Sequence, residues 1–338
     1  MTQYLIRRLL LIPFMLVGIS LIAFILSHSV PADPVNAALG EGAIGKPDLV
    51  RAYKEHWGLD KSLPEQYLVY LWNLSHGDLG NSIISRRSVA EDLGDAIPAT
   101  FELATAAILI SLLGVPLGIW AAIRHRKFAD GLIRFFSLIG SSVPVFWLAY
   151  IAIFLFYTNL SILPVGDRLD TGIKPPTHIT GFYTLDSLFT GNWSALGSSL
   201  HHLVLPAIVL SLTTIGTIIR VSRTITLDVL HQDYLRTARS KGIKELAVIA
   251  RHALPNILVP VVTVISLSYG SLLSGTVLTE TIFSWPGLGR YAFQSATKLD
   301  FPGIMGVSIV IALIYIIINL IVDLLYAVLD RRIRTNAA

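Results

Sequence analysis

Residues 40–47 of the 338-residue chain, GEGAIGKP, come within one position of G-x-x-x-x-G-K-[ST]. In that loop backbone N–H groups and a lysine cradle phosphates while a hydroxyl holds magnesium. Here Pro47 stands where the hydroxyl is needed, and no hydrophobic strand precedes the glycines. The stretch reads as a flexible loop, so the chain is expected to lack an ATPase of its own. No H-E-x-x-H or G-x-S-x-G occurs, and the absence of cysteine removes disulfides, thiolate metal sites and cysteine nucleophiles. His201 and His202 are adjacent, so they do not share a helix face and make a poor metal pair. Glu102 and Asp323 fall towards the ends of apolar runs, where a carboxylate can be interfacial or packed between helices. At mid-membrane each would cost ~3 kcal/mol and demand a reason. No catalytic residue, metal or cofactor is expected on this chain.

The elements that carry these residues are set by composition. With 53% hydrophobic and 14% charged residues, and a mean hydropathy of +0.66, the chain departs from soluble globular make-up. A helix crosses the hydrocarbon core with ~20 mostly apolar residues. Six segments qualify: 9–28, 99–123, 132–157, 203–219, 257–279 and 304–329. The first is longer than the ~7–15-residue core of a signal peptide, and no small-x-small cleavage pattern follows closely. It is expected to be a retained span.

The net charge of +4 and pI near 9.2 raise nucleic acid as a partner, but the distribution of charge argues against one. Arg7 and Arg8 precede the first span; Arg124, Arg126, Lys127 and Arg134 surround the second-to-third loop; Arg220, Arg223, Arg236, Arg239, Lys241, Lys244 and Arg251 surround the fourth-to-fifth; Arg331, Arg332 and Arg334 follow the last. All fall on one side, which the positive-inside rule makes cytoplasmic. Both termini are then cytoplasmic, and the partners are membrane lipid and proteins, with no nucleic acid.

The reading is an all-α polytopic membrane protein: residues 1–30 with the first span, an extracytoplasmic insert 31–98, a five-helix core 99–329 and a cytoplasmic tail 330–338. Within the core, 159–202 and 280–302 are outer loops and 225–256 is a cytoplasmic loop. In the insert, Ser62-x-x-Glu65 and Ser88-x-x-Glu91 read as capping boxes and Pro64 suits a first helical turn. Proline, glycine and threonine in DTGIKPPTHITG predict irregular loop through 159–202.

The cytoplasmic loop contains DYLRTARSKGIKELAVIARHALPNI, residues 233–257. Asp233 suits an N-cap, about two helical turns follow, and Gly242 can take the left-handed conformation that ends them. A second short helix then runs to Pro255. Two turns are marginal alone. Leu235, Ala238 and Gly242 share a face with Arg236, Arg239 and Lys241 around it, a surface that another protein's groove could accept. A solvated basic loop obeying the positive-inside rule is the plainer alternative.

This segment resembles the coupling loop of permease subunits of binding-protein-dependent ABC importers, E-A-A-x3-G-x9-I-x-L-P. Ala238, Gly242, Leu254 and Pro255 match. Arg236 and Thr237 stand in place of the first Glu and Ala, and His252 in place of the Ile; the salt bridge attributed to that glutamate is therefore not carried over. LTETIFSWPGLGRY (278–291), GLDKSLPEQYLVYLWNLSHGDLGNSI (58–83) and NLIVDLLYAVLDRRIR (319–334) resemble the dipeptide, oligopeptide and nickel branch of that family. The first span with its long insert is similar to the first of the two paired permeases.

The resemblance implies the type I importer permease fold, a second homologous permease, two cytoplasmic ATPase subunits that use ATP and Mg, and an extracytoplasmic substrate-binding protein. It implies an inner-membrane location and an ATPase-coupling helix formed by Tyr234, Leu235, Arg236, Ala238, Arg239, Lys241 and Gly242. It also implies an extracytoplasmic signature loop at Trp285, Pro286, Gly287 and Gly289, residues that otherwise read as turn punctuation. Ser266, Gly270 and Ser274, with Ser271 and Gly275 beside them, form a small weakly polar stripe that either lines a translocation path or packs closely on another helix. Gly114 and Gly118 read as packing, and Pro144 as a kink. Short peptides are the favoured substrate; nickel chelates, haem and glutathione are alternatives. A self-sufficient carrier would show inverted repeats and charged mid-membrane pairs, and a membrane enzyme a nucleophile–base pair; the sequence shows neither.

Overall fold

The computed structural model describes residues 2–29, 47, 48, 51 and 61–329, with backbone alone for 2–9, 274, 275, 323 and 325–329. Residues 40–46 of the phosphate-loop look-alike lie outside the described residues, as does the 330–338 tail.

In chain order the helices are α1 (Thr2–Ser29), α2 (Leu63–Ser75), α3 (Val89–Ser111), α4 (Gly114–Ile123), α5 (Phe128–Ser142), α6 (Val145–Ala152), α7 (Tyr183–Phe189), α8 (Trp193–Leu230), α9 (Asp233–Ser240), α10 (Glu245–Ala247), α11 (Leu254–Gly275), α12 (Val277–Ile282), α13 (Leu288–Thr297) and α14 (Phe301–Leu329). Ile153–Asn159 and Val248–Ala253 are π-helical continuations of α6 and α10. Among the described residues no strand forms, and one bridge joins Asn81 to Ser88. Among the described residues five helical segments are long and apolar enough to cross a membrane, or six if one bent pair counts as a single span.

The elements depart from the sequence reading at their ends. The span expected at 203–219 is the 38-residue α8, because hydropathy marks only the part at membrane depth while caps decide where the helix stops. The Asn192 side chain accepts from the Ala195 N–H at 3.1 Å, which lets α8 start in the segment expected to be irregular. In that segment α7 also forms. Asp186 accepts backbone N–H groups from Ile179, Thr180 and Gly181 at 2.9–3.1 Å, closing the turn before the helix. The expected single span 132–157 is instead α5 and α6, bent by 101°. Pro144 clashes with a helical predecessor, so Val143 is extended at ψ 132 and the proline caps α6 rather than kinking a continuous helix. In the insert, Glu65 accepts from the Ser62 N–H at 3.1 Å, as the capping box requires. Glu91 instead lies 3.4 Å from Arg87, while the Ser88 hydroxyl accepts from the Ala90 N–H.

The chain divides into two compact units. One comprises Phe101–Trp285 and the chain from Ile318. Here glycines let backbones meet: a Cβ on Gly118 would stand 2.6 Å from the Ile219 carbonyl oxygen, and one on Gly216 would stand 2.5 Å from that of Ser137. Gly114 likewise faces Ile218 and Ile215, so the packing role read for Gly114 and Gly118 places α4 against α8. The other unit comprises Thr2–Thr100 and Pro286–Ile317. In it Phe24, Tyr70 and Ile309 form one buried cluster, and Val89, Leu93, Ala96, Leu288 and Val307 another. The Tyr67 hydroxyl donates to the Val17 carbonyl at 2.9 Å, tying α2 to α1.

Candidate coupling site

Helix α9 begins one residue before the sequence predicts. Gln232 occupies the cap position with ψ 145, and Asp233 lies in the first turn, 3.6 Å from Arg236. A carboxylate there favours the positive helix end. Its other end is a full Schellman stop: Gly242 N donates to the Arg239 carbonyl at 2.9 Å and Ile243 N to that of Ala238 at 3.4 Å. Gly242 holds φ +74, which an L side chain adopts at a cost of ~1–2 kcal/mol. The glycine stop read from the sequence is therefore what the backbone does.

The face that seats α9 belongs to the chain itself. Leu235 and Ala238 are buried in a core with Val248, Ala253, Ile257 and Val261, and Ile119, Val229 and Leu230 pack around it. The sequence reading offered Leu235 and Ala238 to a partner's groove; the structure fills that face with α8, α11 and α4, because a two-turn helix needs tertiary contact to persist. Tyr234, Arg236, Thr237, Ser240 and Lys241 remain exposed.

Polar ties complete the seat. Arg239 donates to both oxygens of Glu245, at 3.0 and 2.9 Å, and to the Leu230 carbonyl at 3.3 Å. The geometry is bidentate, so it fixes orientation as well as distance. The carboxylate also holds the Arg239 guanidinium above its usual range. Asn256 donates to the Tyr234 hydroxyl at 3.0 Å, linking α9 to the start of α11. Glu245 lies in the first turn of the short helix read from the sequence, but its pairing with Arg239 and the contact of Asn256 were not read there; the i+6 offset of Glu245 from Arg239, across a glycine, fits no single-helix spacing. These contacts tie α9 to the ends of α8 and α11.

The other sequence-marked residues separate from this site. Trp285 is buried, with its N–H donating to the Glu280 carbonyl at 2.8 Å. Pro286 and Gly287 line a cavity of about 240 Å³ with Ser82, Asp92, Asp95 and Arg290. Gly287 caps α13, Gly289 is buried in that helix, and the Leu288 N–H donates to the Thr100 hydroxyl at 2.8 Å. In α11 a Cβ on Gly270 would stand 3.2 Å from Ile318, and the Ser266 hydroxyl donates to the Val262 carbonyl. The Ser274 side chain is outside the described ones.

One buried polar centre was not anticipated. Arg168, in the segment expected to be irregular, donates to Glu102 at 2.6 Å and to the Gly181 carbonyl at 3.1 Å. Its guanidinium lies 3.6 Å from the Tyr183 ring centre and 6.0 Å from that of Trp285. Glu102 also accepts from the Thr184 N–H and hydroxyl. Glu102 is thus the packed carboxylate that the sequence allowed. Among the described residues no cluster of His, Asp or Glu has metal-site spacing.

Residues 114–335 match the binding-protein-dependent transport system inner membrane component family, and residues 1–104 its N-terminal membrane component. The chain belongs to this family. It is a multi-pass inner-membrane permease of a binding-protein-dependent ABC transporter. It is 44% identical over 317 residues to the probable D,D-dipeptide transport system permease protein DdpB of Escherichia coli (strain K12), covering 94% of this chain and 93% of that protein. It is 39% identical to the dipeptide transport system permease protein DppB of the same strain, covering 99% of each. The oligopeptide transport system permease protein AppB of Bacillus subtilis (strain 168) is 36% identical, covering 98% of this chain and 99% of that one. Membership implies an ATPase and a substrate-binding protein as partners.

Proposed function

We propose that this chain is the first of two paired permease subunits that carry short peptides, delivered by an extracytoplasmic binding protein, into the cytoplasm at the expense of ATP. The peptide substrate rests on likeness to the dipeptide and oligopeptide permeases named above. Hydrolysis belongs to two partner ATPases, which use ATP and Mg; this chain contributes no catalytic residue. The basic loop ends support a cytoplasmic position for α9 and both termini, by the positive-inside rule. The observation that carries the mechanism is the seat of α9, whose exposed Tyr234, Arg236 and Lys241 are left to the ATPase while Leu235 and Arg239 grip the spans. Closure of the ATPase pair on ATP favours one arrangement of α9, and that preference shifts the spans between inward-open and outward-open states. The signature loop at Trp285, Pro286, Gly287 and Gly289 is assigned to the outer side, towards the binding protein.

Reconstitution tests this reading. Liposomes holding both permeases, the ATPases and the binding protein are expected to accumulate dialanine only with ATP. Uptake by this chain alone along a proton gradient would overturn it.

A further inference from the structure

A cavity of about 410 Å³ lies between α6, α8, α11 and α12, within one compact unit. Its polar wall is Thr213, Thr214 and Thr217 of α8, Ser268 and Ser271 of α11, and Thr279 of α12; the remainder is aliphatic, and among the described residues no charged side chain lines it. The volume falls in the ~300–1,000 Å³ range of small-molecule sites.

The hydroxyls have a direction. Thr213 donates to the Leu210 carbonyl at 3.3 Å and Thr217 to the Thr213 carbonyl at 3.4 Å. A hydroxyl has one donor and two acceptor lone pairs, so with its hydrogen spent on the helix backbone it offers lone pairs outward. A wall of acceptors on α8 suits a ligand rich in N–H donors, and a peptide supplies them from its amides and its α-ammonium. Absence of fixed charge leaves such a ligand without an ion pair to hold it in place, as passage demands. Leu210, Leu272 and Val145 supply apolar surface that tolerates varied side chains.

We propose that this hydroxyl-walled cavity is a station on the translocation path, in which Thr213 and Thr217 accept hydrogen bonds from the peptide backbone, so that peptides are received by their main chain rather than by their side chains. The inference rests on the peptide-importer reading and moves the path off the Gly270 face, which packs on Ile318.

The chain has no cysteine, so a single Thr217→Cys reports on this wall directly in the assembled transporter. The cysteine is expected to react with a water-soluble thiol reagent, more slowly while dialanine is being transported. In the double variant Thr213→Val with Thr217→Val, two hydrogen bonds are removed at nearly constant shape. Dialanine transported per ATP hydrolysed should then fall roughly tenfold, a ratio that mere loss of folded protein would not change. An unreactive cysteine, or an unchanged ratio in the double variant while the native complex transports dialanine, overturns this inference and leaves the importer reading standing. Failure of the native complex to take up dialanine overturns both.

Discussion

Arg168 shows what a single side chain does in this protein. Its side chain is 5% exposed and that of Glu102 is 4% exposed, so each charge relies on the other in place of water. The Gly181 carbonyl, which accepts from Arg168, the Thr184 N–H and hydroxyl, which donate to Glu102, and the face of Tyr183 complete the shell. Removing one member strands the other, at ~3–5 kcal/mol for a buried pair. Arg168→Met is therefore expected to lower the thermal unfolding midpoint of the detergent-purified protein sharply. Arg168→Met with Glu102→Gln should recover most of the loss, a coupling that a double-mutant cycle measures directly. The pair was illegible in the sequence because its members lie 66 positions apart and Arg168 sits among turn residues, with no period to mark it as buried. Asp170 nearby makes a pH-dependent tie. Hydrogen bonds from Ser198 and then His202 hold its carboxyl below the ordinary range. A depressed carboxylate gives stability that is present above its unfolded value of ~3.9 and lost as pH falls through the folded value. Hydrogen exchange at the Asp170 N–H, which donates to Ser198, is expected to stay protected from pH 7 down to ~4 after correction for intrinsic rates. Protection should fall below that; loss of protection near neutrality would contradict the assignment.

At the scale of elements, the contrast is between what periodicity announces and what contact decides. A run of ~20 apolar residues has one structural solution in a bilayer, so the spans and a bend at Pro144 were legible while the extension of α8 and the full break into α5 and α6 were not. The stop of α9 was legible because only glycine fits φ +74 without strain. Its orientation was not, since Leu235 and Ala238 would serve a partner's groove as well as the chain's own core, and only the positions of α8 and α11 choose. Two variants separate these contributions. Gly242→Val forces a β-branched residue into the left-handed region, at a cost of order 1–3 kcal/mol, and disturbs the Ile243–Ala238 closure. Binding-protein-stimulated ATP hydrolysis should persist while dialanine uptake falls, with membrane insertion retained. Glu245→Gln leaves the seat of Leu235 intact but weakens the clamp on Arg239. It is expected to give partial uncoupling, smaller than that of Gly242→Val, read as ATP hydrolysed per peptide transported. Equal, full coupling in both variants would mean that α9 is held elsewhere.

For the molecule as a whole, function depends on which end of each span faces the cytoplasm, and the charges make a definite claim. Arg124, Arg126 and Lys127 lie in one loop, and Arg236, Lys241 and Lys244 in and beside α9, each a short connection of the kind whose charge sets orientation. The segment with Thr177 lies one span away and has a single lysine, Lys174, between residues 169 and 200. Because the chain is cysteine-free, orientation reduces to two single substitutions at exposed positions, Ser240→Cys in α9 and Thr177→Cys in the segment before α7. In intact cells an impermeant maleimide is expected to label Cys at 177 and not at 240, with 240 labelled once the membrane is opened. Addition of the ATPase subunits to opened membranes should then slow labelling at 240, since the proposed coupling contact covers the exposed face of α9, and leave 177 unchanged. Labelling of 240 from outside would invert the molecule and remove α9 from any nucleotide-driven partner. Access at 240 unaltered by the ATPases, in a complex that still transports, would instead leave the orientation intact and place the coupling contact on another cytoplasmic surface.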